Sequence, residues 1–372
     1  MGNLYRDSAN GVYATIAGLA DHLPQNGVSV EFWHLSRKVS KPTVRDVGGI
    51  TVVDLPRHRL DNASLVGLPR STRAMLRERA RNVDIVHMHS VYQVENIAIS
   101  RLRLGRPLVL TPNGGYSEAV SRGRHRISKS IWRSLWENRL VNGCSTLHAV
   151  SHPEVERLTS LYPSVNVCLV PNAVALESVR ESPLGNFDGV FVFVGRLAID
   201  HKGLDLLLEA YAAALGKMAD LPSLIIAGPD FRGGRLLLEE MVERLGLRGK
   251  VTVVEPVFGS QKAALLASAR CFVHTSRWEG FPFAVVEAMA AGLPVMVTPG
   301  TNMASAVSYR GGGVLVEPTT RDVASGLLRI ATLDEAELNS MAEAASATVR
   351  DRYTWEAVAP LIADLYRRIL DE

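Results

Sequence analysis

Short apolar runs alternate with segments of helical periodicity along nearly the whole chain, and the alternation breaks once, at a Pro- and Gly-containing stretch over residues 173–188. Consecutive strands separated by a helix cannot close a hairpin, so they pair in parallel and need helices on both sheet faces. Before the break, Val12, Ile16, Leu19 and Leu23 mark a helix after the loop 7–11. Strands are expected at 28–33, 50–54, 83–88, 107–111 and 145–150, with helices around 71–80, after Ser90, at 127–141, and after Ser151, where Ser151 and Glu154 fit a capping box. Beyond the break, strands are expected at 189–194, 223–227, 250–254, 271–275, 295–298 and 313–316. The fold class is therefore α/β, with two doubly wound sheets and a cleft between them. Such sheets bind ligands at the carboxyl ends of their strands, where Gly195, Gly228, Glu279 and Gly300 fall.

A chain of 372 residues, 47% hydrophobic and 21% charged, has the length and composition of a folded two-domain protein. It has no apolar run long enough for a membrane span, and its first residues lack a signal-peptide core, so cytoplasmic residence is expected. Cys144, Cys168 and Cys271 are widely spaced in apolar stretches, which suits reduced buried thiols. Charge divides unevenly. Residues 1–170 hold 22 Lys and Arg against 13 Asp and Glu, whereas the remainder is acidic, 19 against 25. A basic half suits a phosphorylated substrate or an anionic membrane, or is simply solvated surface. Trp132 and Trp136, in a helix beside the basic run 122–129, fit either a membrane surface or a buried core.

The stretch 276–298 places Glu279 in a loop and Glu287 in the first turns of a helix over 283–291, with Pro282 at its first position and Gly292 ending it. Unpaired N–H groups at a helix start favour phosphate, and a carboxylate beside them accepts hydrogen bonds from sugar hydroxyls. Glu287 alone fits equally well as a partner of the helix dipole. A glycosidase pair is a poorer reading, because such a pair stands on opposite sides of a scissile bond whereas these acids share one loop-helix segment. Upstream, Arg196 and Lys202 bracket the loop between a strand and a helix, beginning at Gly195, which suits a departing diphosphate. Pairing of these cations with local acids such as Asp200 is the structural alternative. No P-loop and no Gly-x-Gly-x-x-Gly turn follows a strand, against an NTPase or dinucleotide enzyme. Neither Asp-x-Asp nor His-Glu-x-x-His occurs, and His87 and His89 are expected to face opposite ways, so no metal site is indicated.

Gly195-Arg196 with Lys202-Gly203, Pro171-Asn172, Gly228-Pro229-Asp230 and the Glu-x7-Glu spacing of Glu279 and Glu287 together resemble the retaining GT-B glycosyltransferases of family 4, over nearly the whole chain. The resemblance implies two Rossmann-like domains facing a central cleft: residues 1–172 binding acceptor, 173–352 binding a nucleotide sugar, and a helix over 353–372 crossing back to the first domain. It implies that Arg196 and Lys202 hold the donor diphosphate, Glu279 the sugar hydroxyls and Glu287 the ribose. Gly195, Gly280 and Phe281 belong to the same donor set. Pro256 and Val257 would meet the base, and Thr301 and Asn302 would lie near the phosphates. Gly11, Asn113 and His89 would line the acceptor or sugar cleft.

Two departures from the family pattern stand out. Only five residues precede Arg6, so the first strand is expected to be short or absent; and Asn113 stands where many members carry histidine, so it can hydrogen-bond a hydroxyl but not exchange protons near neutral pH. The expected activity is transfer of a hexosyl group from a nucleoside diphosphate sugar to a hydroxyl of a glycan or lipid-linked acceptor in bacterial polysaccharide synthesis. It needs no cofactor, metal or nucleic acid, and peripheral contact with the inner face of the cytoplasmic membrane would run through the basic half. The alternatives are a GT-B-like sugar-nucleotide epimerase or hydrolase, a non-catalytic nucleotide-sugar-binding protein and, most distantly, a two-domain dehydrogenase.

Overall fold

The computed structural model describes residues 11–36, 38–57, 68–117, 126–175 and 189–371. The expected first strand, the loop ahead of Gly11, Arg122 and Arg124 of the basic run, and most of the 173–188 connection lie outside these residues. The chain divides into two compact units, Met1–Ala173 with Trp355–Glu372, and Val174–Thr354.

The first unit holds β1 (Glu31–Ser36), β2 (Thr43–Val47), β3 (Ile50–Pro56), β4 (Val86–His89), β5 (Leu108–Thr111), β6 (Thr146–Ala149) and β7 (Asn166–Leu169). Strands β4-β5-β6-β7 form one parallel sheet, and β1-β3-β2 a second. The strand expected at 28–33 thus lies further along the chain, and β2 is an element that the alternation of strands and helices did not indicate. It pairs antiparallel with β3, because Gly48 and Gly49 both take positive φ and close a tight turn between them. The helix expected over 127–141 is present, but its middle, Arg133–Glu137, is a π-turn. That extra residue carries Glu137 inward to complete burial, where it accepts the Tyr92 N–H and the Trp132 indole N–H. Trp132 and Trp136 pack at the edge of the core, 5.0 Å apart, so the apolar side chains left outside are Ile127, Ile131 and Leu135.

The capping box expected at Ser151 is not formed. The Ser151 side chain makes no cap, and buried Glu154 instead accepts the Val150 and Gly114 N–H groups, tying the helix start to the loop after β5. The C-terminal helix Trp355–Asp371 belongs to the first unit and packs with helix Gly11–His22 through Leu19, Leu23, Val358 and Ile362. Gly18 permits this, since a β-carbon there would lie 2.0 Å from the Trp355 ring. The same helix brings Tyr366 to the end of a buried polar chain. Tyr366 contacts His87 Nδ1 (2.6 Å), His87 Nε2 contacts Thr111 Oγ1 (2.7 Å), Thr111 Oγ1 contacts His148 Nδ1 (2.8 Å), and His148 Nε2 contacts the Val170 carbonyl (2.7 Å). Burial favours the neutral form of both rings, and a carbonyl only accepts, so the donors follow in order: His148 donates to Val170, Thr111 to His148, His87 to Thr111 and Tyr366 to His87. His87 and His89 do not face opposite ways: residues two apart share a strand face, and their rings stack at 4.4 Å.

The second unit is a six-stranded sheet, all parallel, of β8 (Val190–Val194), β9 (Leu224–Ala227), β10 (Val251–Val254), β11 (Ala269–His274), β12 (Val295–Val297) and β13 (Gly313–Leu315). Its order is β10-β9-β8-β11-β12-β13. The chain starts in the centre, builds outward through β9 and β10, then returns to the other side of β8, so the switch point of the topology lies between β8 and β11. Fully buried Phe191, Phe193, Phe272, Leu207 and Val285 fill the core between this sheet and its helices.

Burial pushes the His148 imidazole down to about 4. Its neutral form is favoured by folding, so its contribution is complete above the ordinary histidine pKa of about 6.5 and is lost as pH falls toward 4. We expect the stability difference between wild type and His148→Gln, measured by urea denaturation, to shrink by on the order of 2 kcal/mol between about pH 7.5 and about pH 5. A difference that does not change with pH would contradict a buried neutral His148.

Candidate active site

Two loops meet at the switch point. The first follows β8 and runs through Gly195, Arg196 and the single turn Ile199–Lys202; the second follows β11 and carries residues 275–282. They are stitched together by backbone and side chain. Thr275 Oγ1 donates to the Gly203 carbonyl, the Arg277 N–H donates to the His201 carbonyl, and the Arg277 guanidinium forks onto the Asp205 carboxylate at 2.8 Å. Gly203 is required here, with φ +62° and a would-be β-carbon 2.1 Å from the Thr275 carbonyl oxygen.

The stitched loops enclose Glu279. Its Oε1 accepts from Lys202 Nζ at 2.5 Å, Ser276 Oγ at 2.6 Å and His274 Nε2 at 3.1 Å. His201 Nε2 stands 3.7 Å from the other oxygen, and the His201 ring stacks on Trp278 at 4.6 Å. Burial by itself would raise the Glu279 pKa. The His201 and His274 imidazoles and the Lys202 ammonium outweigh it and hold the carboxyl well below the usual range. His274, fully buried between the rings of Phe193 and Phe272, is itself held neutral by burial. Glu279 is therefore an ionised carboxylate with Oε1 saturated and Oε2 left to accept a further donor, which is what recognition of a sugar hydroxyl requires.

The two basic residues of the β8 loop have different partners. Lys202 is buried against Glu279, whereas Arg196 is exposed, lies over the Phe231 ring at 5.4 Å and has no carboxylate partner among the described residues. Asp200 pairs with neither; it lies near Arg277. Gly195 donates its N–H to Ala227, and its carbonyl lies against Gly228, where a β-carbon would approach to 1.7 Å.

Pro282 caps helix Phe283–Ala290 from just outside it rather than occupying its first turn. Glu287, half-buried on this helix, reaches Lys262 Nζ at 2.8 Å and leaves one oxygen unused by that bond. Asn302, left-handed at φ +62°, donates to the Glu279 carbonyl at 2.6 Å and so braces the Glu279 loop, whereas Thr301 donates to the Thr298 carbonyl after β12. Gly280 lies beside Asn302, while the Phe281 ring packs on Phe283 and Tyr353. Pro256 and Val257 are half-buried in the loop after β10.

In the first unit, Asn113 sits at φ +54° beside Gly114, its amide turned back onto the Thr111 carbonyl. His89 ends β4 with Nδ1 buried and unpartnered, and burial pushes its pKa down to about 3. Gly11 is the first residue of its helix. His274, Ser276, His201 and Lys262 were not anticipated as site residues. His201 adjoins Lys202 and Ser276 opens the stretch that carries both acids, whereas His274 and Lys262 reach the acids through folding.

Two α/β units built on largely parallel sheets, with the last helix returned to the first, define the GT-B class of glycosyltransferases. The chain belongs to glycosyltransferase family 4. The model of that family matches residues 9–178, and the model of the glycosyl transferases group 1 matches residues 177–348. Curated relatives include a GDP-mannose:cellobiosyl-diphosphopolyprenol alpha-mannosyltransferase of Xanthomonas oryzae, 25% identical over 98% of this chain and 95% of its own. A D-inositol 3-phosphate glycosyltransferase of Corynebacterium urealyticum is 26% identical over 97% and 91%. Among solved structures of the same fold, the trehalose 6-phosphate synthase of Burkholderia multivorans aligns with TM-score 0.77 at 15% identity, covering 100% of this chain and 97% of that one. A HepE protein of Anabaena aligns with TM-score 0.72 at 18% identity over 97% of each chain. The protein is thus a glycosyltransferase that acts on nucleotide sugars.

Lys202 and Glu279 form a buried pair, so removing one partner leaves an uncompensated charge. Lys202→Met should destabilise the second unit by about 3 kcal/mol, and adding Glu279→Gln should recover part of that loss. Denaturant melts of both variants check this; additive losses would show that the pair is not coupled.

Proposed function

We propose that the chain transfers a hexosyl group, with retention of anomeric configuration, from a nucleoside diphosphate sugar to a hydroxyl of a glycan or lipid-linked acceptor in bacterial polysaccharide synthesis. The carrying observation is the ionised Glu279 at the switch point, with one oxygen saturated by Lys202, His274 and Ser276 and the other able to accept from a sugar hydroxyl. Arg196 and Lys202 face the donor diphosphate, Glu287 accepts from the ribose, the 256–257 loop meets the base, and Thr301 and Asn302 lie near the phosphates, Asn302 also holding the Glu279 loop. Acceptor binding falls to the first unit, where Asn113, His89 and Gly11 are the contact residues. The name of the Xanthomonas relative, a mannosyltransferase acting on a diphosphopolyprenol, supports the lipid-linked acceptor, and the Anabaena protein was solved with UDP and glucose.

In the reaction, the bond from the anomeric carbon to the diphosphate oxygen breaks as a bond to the acceptor oxygen forms, and the acceptor proton leaves with the diphosphate. The protein's contribution is to position the acceptor and to stabilise charge that grows on the leaving group. No metal is assigned a part; among the described residues no His, Cys, Asp and Glu cluster suits one.

A lipid-linked acceptor implies work at the inner face of the cytoplasmic membrane. Among the described residues no helix is long and apolar enough to cross a membrane. Contact would instead run through the helix over 126–141, whose exposed Ile127, Ile131 and Leu135 stand one turn apart and whose only acid, Glu137, is buried. Ile131→Glu should reduce co-sedimentation with anionic phospholipid vesicles several-fold; equal binding would remove this helix from the proposal.

Thermal shift against UDP, GDP, ADP and their sugars tests the donor site. A ligand at about a hundredfold over its dissociation constant adds on the order of 2 to 3 kcal/mol to the folded state. We expect one nucleotide family to stabilise the wild type and to lose that effect in Arg196→Ala and Glu287→Ala. A folded wild type that responds to none refutes the reading. Product NMR then reports the anomeric configuration.

A further inference from the structure

The loop after β9 carries a second arginine that nothing in the reading above uses. This loop lies against the loop after β8 in a fixed register: the Leu197 N–H donates to the Pro229 carbonyl at 3.0 Å, Leu197 bridges to Asp230 in parallel, and Gly195 touches Gly228. The bridge sets Arg196 beside the exposed ring of Phe231, whose centroid is 5.4 Å from the Arg196 guanidinium carbon and 5.1 Å from that of Arg232. The two guanidinium carbons are therefore no more than about twice 5.4 Å apart, a separation that one diphosphate spans when each phosphate accepts from one guanidinium.

Two exposed guanidiniums over one ring favour an anion between them, and the acid next to them in the chain is turned elsewhere. Asp230 precedes Phe231, yet its carboxylate is committed to the start of helix Gly234–Arg244, accepting the Gly233 N–H at 3.0 Å and the Arg235 N–H at 2.8 Å. Those backbone bonds lower its pKa, which keeps it ionised and turned toward the helix. Among the described residues neither Arg196 nor Arg232 has a carboxylate partner. Arg232 also holds a left-handed backbone, φ +57°, which non-glycine residues adopt only where the surroundings enforce it. By contrast Arg235, three residues on, is neutralised by Glu239 and Glu255 and bonded to the Val254 carbonyl. The loop therefore places one arginine in an ion pair and presents the other.

We propose that Arg232 is a second phosphate-binding residue of the donor site, which together with Arg196 clamps the two phosphates of a nucleoside diphosphate, with Phe231 setting the spacing of the two guanidiniums. This rests on the donor-site reading given above and adds to it a ligand contributed by β9. A planar guanidinium suits phosphate oxygens better than an ammonium, so lysine should replace Arg232 only in part.

The test is isothermal titration of the full chain with UDP, GDP, UMP and GMP at two salt concentrations, for wild type, Arg232→Gln, Arg232→Lys and Arg196→Ala. Arg232→Gln should weaken the bound diphosphate about tenfold, weaken the matching monophosphate much less, and flatten the salt dependence; Arg232→Lys should restore part of the affinity. An unliganded melt equal to wild type is expected, since Arg232 is exposed. Diphosphate binding that survives Arg232→Gln but falls in Arg196→Ala overturns this proposal and leaves the donor site standing. Equal losses for diphosphate and monophosphate overturn it as well, because they place Arg232 on the nucleoside. A wild type that binds no nucleotide removes both readings together.

Discussion

The second unit depends on keeping the Glu279 carboxylate ionised inside the protein. An isolated buried carboxylate would protonate. Here one oxygen takes three donors from three different elements: Lys202 from the β8 loop, His274 from the end of β11 and Ser276 from the loop itself. The acid is thus a joint between the two halves of the sheet. The stitches around it, Thr275 to Gly203 and Arg277 to Asp205, hold the loops close enough for that bond set to form.

The first unit uses buried polar groups in a related way. Glu137 and Glu154 are both buried, and each accepts backbone N–H groups of a loop at the carboxyl end of β4 or β5. The histidine chain from Tyr366 to Val170 fixes the last helix and the end of β7 to the same sheet. In each case a polar side chain replaces the hydrogen bonds that an irregular loop loses when it is covered. The loops it holds are those where Ser90, Tyr92 and Asn113 take left-handed backbone. Strain of this kind persists only where neighbours enforce it.

Much of this was legible in the sequence. Alternation of apolar runs with helical periods placed all six strands of the second sheet to within a few residues, because strands buried on both faces leave a continuous apolar signature. The two loops that meet at the switch point were legible for the same reason: Arg196, Lys202 and Glu279 each follow such a run. Departures came where local pattern is a weak guide. The β2 hairpin is short and charged and is specified by Gly48 and Gly49. The Ser151 box fails because Glu154 finds better partners in a loop 40 residues away.

Sequence alone determined the class of fold, the family and the identity of the acids and cations, since these depend on residue type and on spacing along one segment. Tertiary structure decided the partners. That Lys202 is buried on Glu279 while Arg196 stays exposed, that Glu287 reaches Lys262, and that Asp230 turns away from two arginines are matters of which strand lies beside which. The physical reason is the crossover of a parallel sheet: it brings together loops separated by about 80 residues, such as those of Lys202 and Glu279, and no periodicity within either loop encodes the other.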